Sequence, residues 1–262
     1  MKAAITQLVK AETGNYETYH VVLDPASNGG QPATGGSSCA EMTPDVDSGQ
    51  DAVNDTLSSP NTVYTASSAC YTQTLSGPND TEKETETTCV YPGSSAFRIS
   101  ETDSADGFQS DSLDVLAPKG VVRVQSNVGQ TGSGDQGYQF SARSSVTPCD
   151  PSNSGATLPT PSATGISGVW ATDSYTIDGN GVPARAGTGS LDCTASGCTG
   201  TVAIPNLDFD TTAAHWVGNT ANGNSVIATV SPDAHVLTLV VCPDNTQVGA
   251  IVTSCTIVAG TK

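Results

Sequence analysis

Apolar positions along the chain follow two periods. Between residues 2 and 20, Ala3, Ala4, Ile5, Leu8 and Val9, then Tyr16 and Tyr19, fall near i, i+3, i+4, i+7. This spacing predicts one amphipathic helix. Lys2, Thr6 and Lys10 lie off its stripe, Gly14-Asn15 weakens its last turn, and Asp24-Pro25 ends it. Ile5, Leu8 and Val9 form the face that such a helix buries, against its own sheet or a neighbouring subunit. Residues 24–60 carry no period and read as a long loop region. From Thr62 onward the period falls to two. Strands are predicted at Thr62–Ala66, Ala69–Leu75, Cys89–Tyr91, Phe97–Ser100, Val121–Ser126 and Tyr138–Arg143.

The stretch PSNSGATLPTPSATG is rich in Pro, Ser, Thr and Gly and reads as a linker. After it the pattern is all β, with short apolar runs at Gly168–Ala171, Ser174–Ile177, Thr201–Ile204, His215–Val217, Ser225–Val230, Val236–Val241, Ala250–Val252 and Thr256–Val258. The expected plan is therefore α+β: an N-terminal helix packed on an antiparallel sheet in residues 1–150, a linker at 151–165, and a disulfide-bonded all-β domain at 166–262.

Composition narrows the function. Charged residues make up only 13% of the chain, but acids outnumber bases 26 to 9, for a net charge of −17. A phosphate backbone is repelled by such a surface, so nucleic acid is excluded as a general partner. No apolar run approaches the ~18 residues of a membrane helix. The eight cysteines (Cys39, Cys70, Cys89, Cys149, Cys193, Cys198, Cys242 and Cys255) lack zinc-type spacing and sit in a turn-rich chain. They predict disulfides and an oxidising compartment. CTASGC sets Cys193 and Cys198 across a four-residue turn. Cys242 and Cys255 flank a hairpin with its turn at Pro243-Asp244-Asn245. The first four cysteines are expected to pair among themselves.

Catalytic signatures are absent from the sequence: it has no G-x-S-x-G turn, P-loop, H-E-x-x-H or dinucleotide fingerprint. The expectation is a protein that is not an enzyme, with a secreted hydrolase as the last alternative. The best candidate for a ligand cluster is TPDVDSGQD. There, Asp45, Asp47 and Asp51 surround Gly49 in the manner of an oxygen-rich calcium loop, although the full EF-hand set is missing. Calcium is the one cofactor considered. Asp103, Asp106 and Asp111 make a weaker acidic turn, and Asp178-Gly179-Asn180-Gly181 a weaker one again. The bland alternative for each is a solvated turn. Trp170 and Trp216 are expected in the core, with sugar stacking as the other reading.

The helix AAITQLVKAETGNYETY, followed by the strand pair GVVRVQSNV and GYQFSARSS, resembles the headgroup of type IV pilins and type II secretion pseudopilins. The resemblance covers about half the chain and does not include the family's leader or the glutamate that follows it. It implies a structural subunit of an extracellular pilus, membrane-inserted before assembly, whose partners are copies of itself or other pilin subunits. It also implies that an apolar half-helix precedes this chain. The C-terminal β domain would face outward for display or adhesion. The alternative is a secreted adhesin or carbohydrate-binding β protein with a surface or glycan ligand.

Overall fold

The computed structural model describes residues 1–12, 14–23, 34–42, 56–75, 84–104, 107–128, 136–148, 160–211 and 213–262. At 9–12, 14–23, 34–42, 75, 84, 127–128, 136–148 and 248 it describes the backbone alone. Two antiparallel sheets dominate. Sheet I contains β1 (Gly14–Leu23), β2 (Thr34–Met42), β3 (Val63–Tyr64), β4 (Ala69–Leu75), β5 (Glu84–Pro92), β6 (Ala96–Asp103), β7 (Gln109–Ala117), β8 (Gly120–Val128) and β9 (Gln136–Pro148). Sheet II contains β10 (Gly168–Ile177), β11 (Pro183–Thr194), β12 (Gly197–Gly200), β13 (Asn206–Asp210), β14 (His215–Asn219), β15 (Ser225–Val230), β16 (Val236–Cys242) and β17 (Thr256–Thr261).

This corrects the expected α+β plan: the fold is mostly β. Helix α1 (Lys2–Glu12) stops before Gly14, and residues 14–23 continue as a strand instead of completing a helix to residue 20. The local chemistry explains why. Gly14 is a poor helix former, and Tyr16, Thr18, Tyr19, Val21 and Val22 are aromatic or β-branched. Strand β2, TGGSSCAEM, lies where a loop was expected. Ala250–Val252 is helical rather than extended: a 3₁₀ turn at Val248–Ala250 leads into α2 (Ile251–Ser254) between β16 and β17.

Both sheets are meanders whose first strand returns to pair with the last. In sheet I, β1 pairs with β9, leaving β2 and β3 as the outer strands. In sheet II, β10 pairs with β17, and the order runs round from β12 to β13. Sheet II is nearly a closed barrel. Its seam is bridged where Cys198 and Ile204 exchange backbone hydrogen bonds of 2.8 and 2.9 Å, and where Leu207 N–H donates to the Ser196 carbonyl at 2.8 Å. Closing a sheet on itself removes edges that would otherwise recruit other chains.

Three apolar clusters among the described residues hold the fold. The inner face of sheet II packs Trp170, Leu191, Leu207, Trp216, Val226, Leu237 and Leu239. Its opposite face, with Tyr175, Val236, Val240, Ile257 and Ala259, shares one core with Leu113, Val115, Val122 and Val124 of sheet I. The sheets are thus joined by buried apolar side chains. The third cluster lies on the far face of sheet I, where Ile5 of α1 packs with Leu57, Ala69, Val90, Phe97 and Ile99. Ile5 is fully buried and Leu8 is partly buried against the same cluster. The side chain of Val9 is outside the described residues.

The far face of sheet I also holds charge. Asp114 and Arg123 stand opposite each other on β7 and β8. Two hydrogen bonds of 2.7 Å, from Arg123 Nε and Nη2 to the two carboxylate oxygens, join them out of solvent. Beside them Gln125 Nε2 donates to Ser110 Oγ at 3.2 Å. Buried on both faces, the middle of β7 shows six consecutive buried positions, which hides its alternation.

A second ion pair links the sheets. Arg98 donates to both oxygens of Asp111 at 2.7 Å, lies 5.0 Å from the centre of the Tyr91 ring, and reaches the Gly181 carbonyl at 3.4 Å. Gly181 has φ +80°, and a Cβ there would come within 2.9 Å of Arg98 Nη1. At Gly93 a Cβ would lie 2.3 Å from the Pro183 carbonyl oxygen. The β10–β11 hairpin therefore sits directly on the β5–β6 turn, at two positions that only glycine fits without a shift.

Candidate binding cleft

A cleft opens where the β7–β8 turn of sheet I meets the outer surface of sheet II. It encloses 360 Å³, within the size range of small-molecule sites. Val115, Ala117 and Pro118 line one side, and Ala171, Thr172 and Asp173 of β10, Arg185, Thr188 and Gly189 of β11, and Ala259 and Thr261 of β17 line the other.

Its charged centre depends on a local irregularity. The β10–β11 register shifts between Ser174 and Tyr175, so Asp173 stands opposite Thr188 while Arg185 stands opposite Tyr175. The shift makes Asp173 and Arg185 diagonal neighbours. Nε of Arg185 donates to Asp173 Oδ1 at 3.1 Å, and Nη2 donates to the same oxygen. The pair is open to solvent, with side-chain exposures of 48% for Arg185 and 29% for Asp173. Hydrogen bonding to the Asp173 carboxylate raises the guanidinium pKa of Arg185 above its ordinary value. Burial pushes the Tyr175 hydroxyl up, and the Asp173 charge pushes it further. The walls are held from behind: Thr172 and Thr201 share a hydroxyl hydrogen bond of 3.2 Å, and Lys119 Nζ donates to the main-chain oxygen of Lys262 next to Thr261.

The residues singled out in the sequence lie elsewhere. Asp45, Asp47 and Asp51 are outside the described residues, as are Asp106 and Cys149. Asp111 is no turn residue but a strand residue paired with Arg98, and desolvation raises its carboxyl pKa against the opposing pull of that arginine. Asp178 is an exposed turn whose Oδ1 accepts from the backbone N–H groups of Asn180 and Val182 at 2.8 and 2.9 Å. Those bonds hold its carboxyl below the usual range. Trp170 and Trp216 are both fully buried, so neither offers a stacking surface. Trp170 donates from Nε1 to the Ile166 carbonyl at 2.7 Å, and Lys262 Nζ lies 4.1 Å from its ring centre. His215 is buried beside Asp210, and burial lowers its pKa while the aspartate charge opposes.

Disulfides join Cys70 to Cys89, Cys193 to Cys198 and Cys242 to Cys255. The first two are direct cross-strand pairs. Cys39 lies in β2, where only the backbone is described. Bonds of this kind persist in oxidising compartments, which places the chain outside the cytoplasm. No helix among the described residues is long and apolar enough to cross a membrane.

Sequence reasoning missed the cleft and the three arginine–aspartate pairs found among the described residues. The only signal was an arginine and an aspartate at strand positions of matching parity, and it becomes informative only once the register is known. Comparison with known proteins adds no assignment: no family model matches the chain, and no curated protein matches it.

Proposed function

We propose that this chain is an extracellular binding protein, a disulfide-stapled pair of β meanders that holds a ligand in the cleft between them. The observation that carries this reading is the cleft itself. It is of ligand size, walled by both sheets, and lined by an ion pair that is open to solvent. Val115 and Ala259 of its lining belong to the shared core and Ala117 packs against it, so part of the wall is preformed and costs little ordering on binding. The cross-links and nearly closed sheet suit a protein that must persist outside the cell.

A filament subunit would use the apolar face of α1 against its neighbours. Ile5 is spent inside the chain's own core and Leu8 is partly buried against it, which leaves the exposed Ala3 and Ala4 and the rest of Leu8 for that role, and the cleft supports the binding reading better.

A panel of immobilised glycans and extracellular matrix polymers, probed with the wild type and with Thr188→Trp, tests the proposal. Thr188 is exposed and lines the cleft, so the indole fills it without entering the core. Binding that Thr188→Trp abolishes and Asp208→Lys retains is expected. Binding that survives Thr188→Trp overturns the assignment to this cleft.

A further inference from the structure

The cleft's unused hydrogen-bonding capacity identifies a ligand class, on the premise that the cleft is the binding site. Arg185 directs both Nε and Nη2 at a single oxygen, Asp173 Oδ1. A guanidinium has five N–H donors and a carboxylate has two acceptor oxygens. This leaves Oδ2 as a spare acceptor and three guanidinium protons, two on Nη1 and one on Nη2, as spare donors, all belonging to residues that line the cleft. An anion meets the Asp173 charge there, and a cation meets Arg185. The complementary group is neutral and presents a donor and an acceptor a short distance apart. Two adjacent hydroxyls do this: one donates to the carboxylate while its neighbour accepts from the guanidinium.

The rest of the cleft agrees. Ala117, Ala171 and Ala259 form a shallow apolar floor of small side chains, which accommodates the C–H face of a ring. Thr188 and Thr261 add hydroxyls at the rim. We infer that the cleft binds a neutral pyranose sugar, with a vicinal diol bridging Asp173 and Arg185 and the ring lying on the alanine floor.

Titration calorimetry of the full chain with methyl glucoside, methyl galactoside, methyl mannoside and the 2-deoxy analogue of methyl glucoside is the test. Inorganic phosphate, succinate and a lysine-rich peptide form the comparison set. At least one methyl pyranoside is expected to bind. Asp173→Asn at a half-buried position and Arg185→Lys at an exposed one are each expected to keep the fold and to weaken that binding roughly ten- to hundredfold, the loss of a charge-assisted hydrogen bond. Circular dichroism checks that each variant is folded. Equal affinity of a pyranoside for the wild type and both variants overturns the diol bridge. If phosphate, succinate or the peptide binds in an Asp173-dependent manner and no pyranoside does, the cleft is a binding site and the sugar assignment fails. If none of these probes binds, both the sugar assignment and the binding reading fail.

Discussion

Removing the carboxylate of Asp114 tests the energetics of sheet I and its coupling to sheet II together. The Asp114 side chain is fully buried and that of Arg123 is 9% exposed, with nitrogen and oxygen 2.7 Å apart. At an effective dielectric of ~20, two unit charges at this distance attract by about 6 kcal/mol. Desolvation of the two ions, several kcal/mol each, offsets most of that. The intact pair is therefore close to neutral for stability, while a lone buried guanidinium is costly. Asp114→Asn is expected to lose about 3–5 kcal/mol, and Asp114→Leu with Arg123→Met to recover most of it. Guanidinium denaturation followed by far-ultraviolet circular dichroism and by tryptophan fluorescence measures both effects. Both tryptophans, Trp170 and Trp216, are in sheet II, yet the shared core predicts that their transition moves with a substitution in sheet I. A loss below about 1 kcal/mol, or a double variant as unstable as the sum of the singles, refutes the ion-pair argument. A fluorescence midpoint that stays fixed while the circular dichroism transition shifts refutes the shared core.

Three further outcomes follow from the same structure. Ile5→Ala, which empties a fully buried position under α1, is expected to cost about 2–5 kcal/mol in chemical denaturation, and Leu8→Ala at its half-buried site clearly less. Replacing Cys70 and Cys89 by serine opens a separation of 19 residues and is expected to cost about 3 kcal/mol; the same change at Cys193 and Cys198, with a separation of 5, costs about 2 kcal/mol on the chain-entropy estimate. His215 has a folded pKa below its unfolded value of 6.5, so the unfolded chain binds the extra proton. Its contribution is complete above pH 6.5 and is lost as pH falls below it. His215→Gln is expected to shrink the drop in melting temperature between pH 7.5 and 5.5, as read by calorimetry.

The sequence carried those parts of the fold that depend on local pattern. Strand β4 occupies the predicted Ala69–Leu75 range, and β8, β9, β15 and β16 contain their predicted runs, because each alternates or is richly β-branched. CTASGC announced its own bridge through a short turn. Elements defined by their neighbours were hidden. Strand β2 is glycine- and serine-rich and is extended because β1 offers an uninterrupted nine-residue ladder. Strand β7, QSDSLDVLA, looks like an acidic turn until Asp111 meets Arg98 and Asp114 meets Arg123 across the sheet. Strand β11 carries glycines that read as a loop. The helix expected to residue 20 failed because Tyr16 and Tyr19 satisfy a helical spacing over a segment whose residues favour strand. The cleft depends on the register shift at Ser174/Tyr175 and on the packing of one sheet on the other, neither of which a single sequence displays.

The central claim, that the cleft between the sheets is where this protein binds, is tested most directly by residue-resolved amide spectra of the isotopically labelled chain during titration with methyl pyranosides. The account predicts saturable shifts gathered at Ala171–Asp173, Arg185, Thr188–Gly189 and Thr261. Shifts gathered away from those positions, or none at saturating sugar, contradict it.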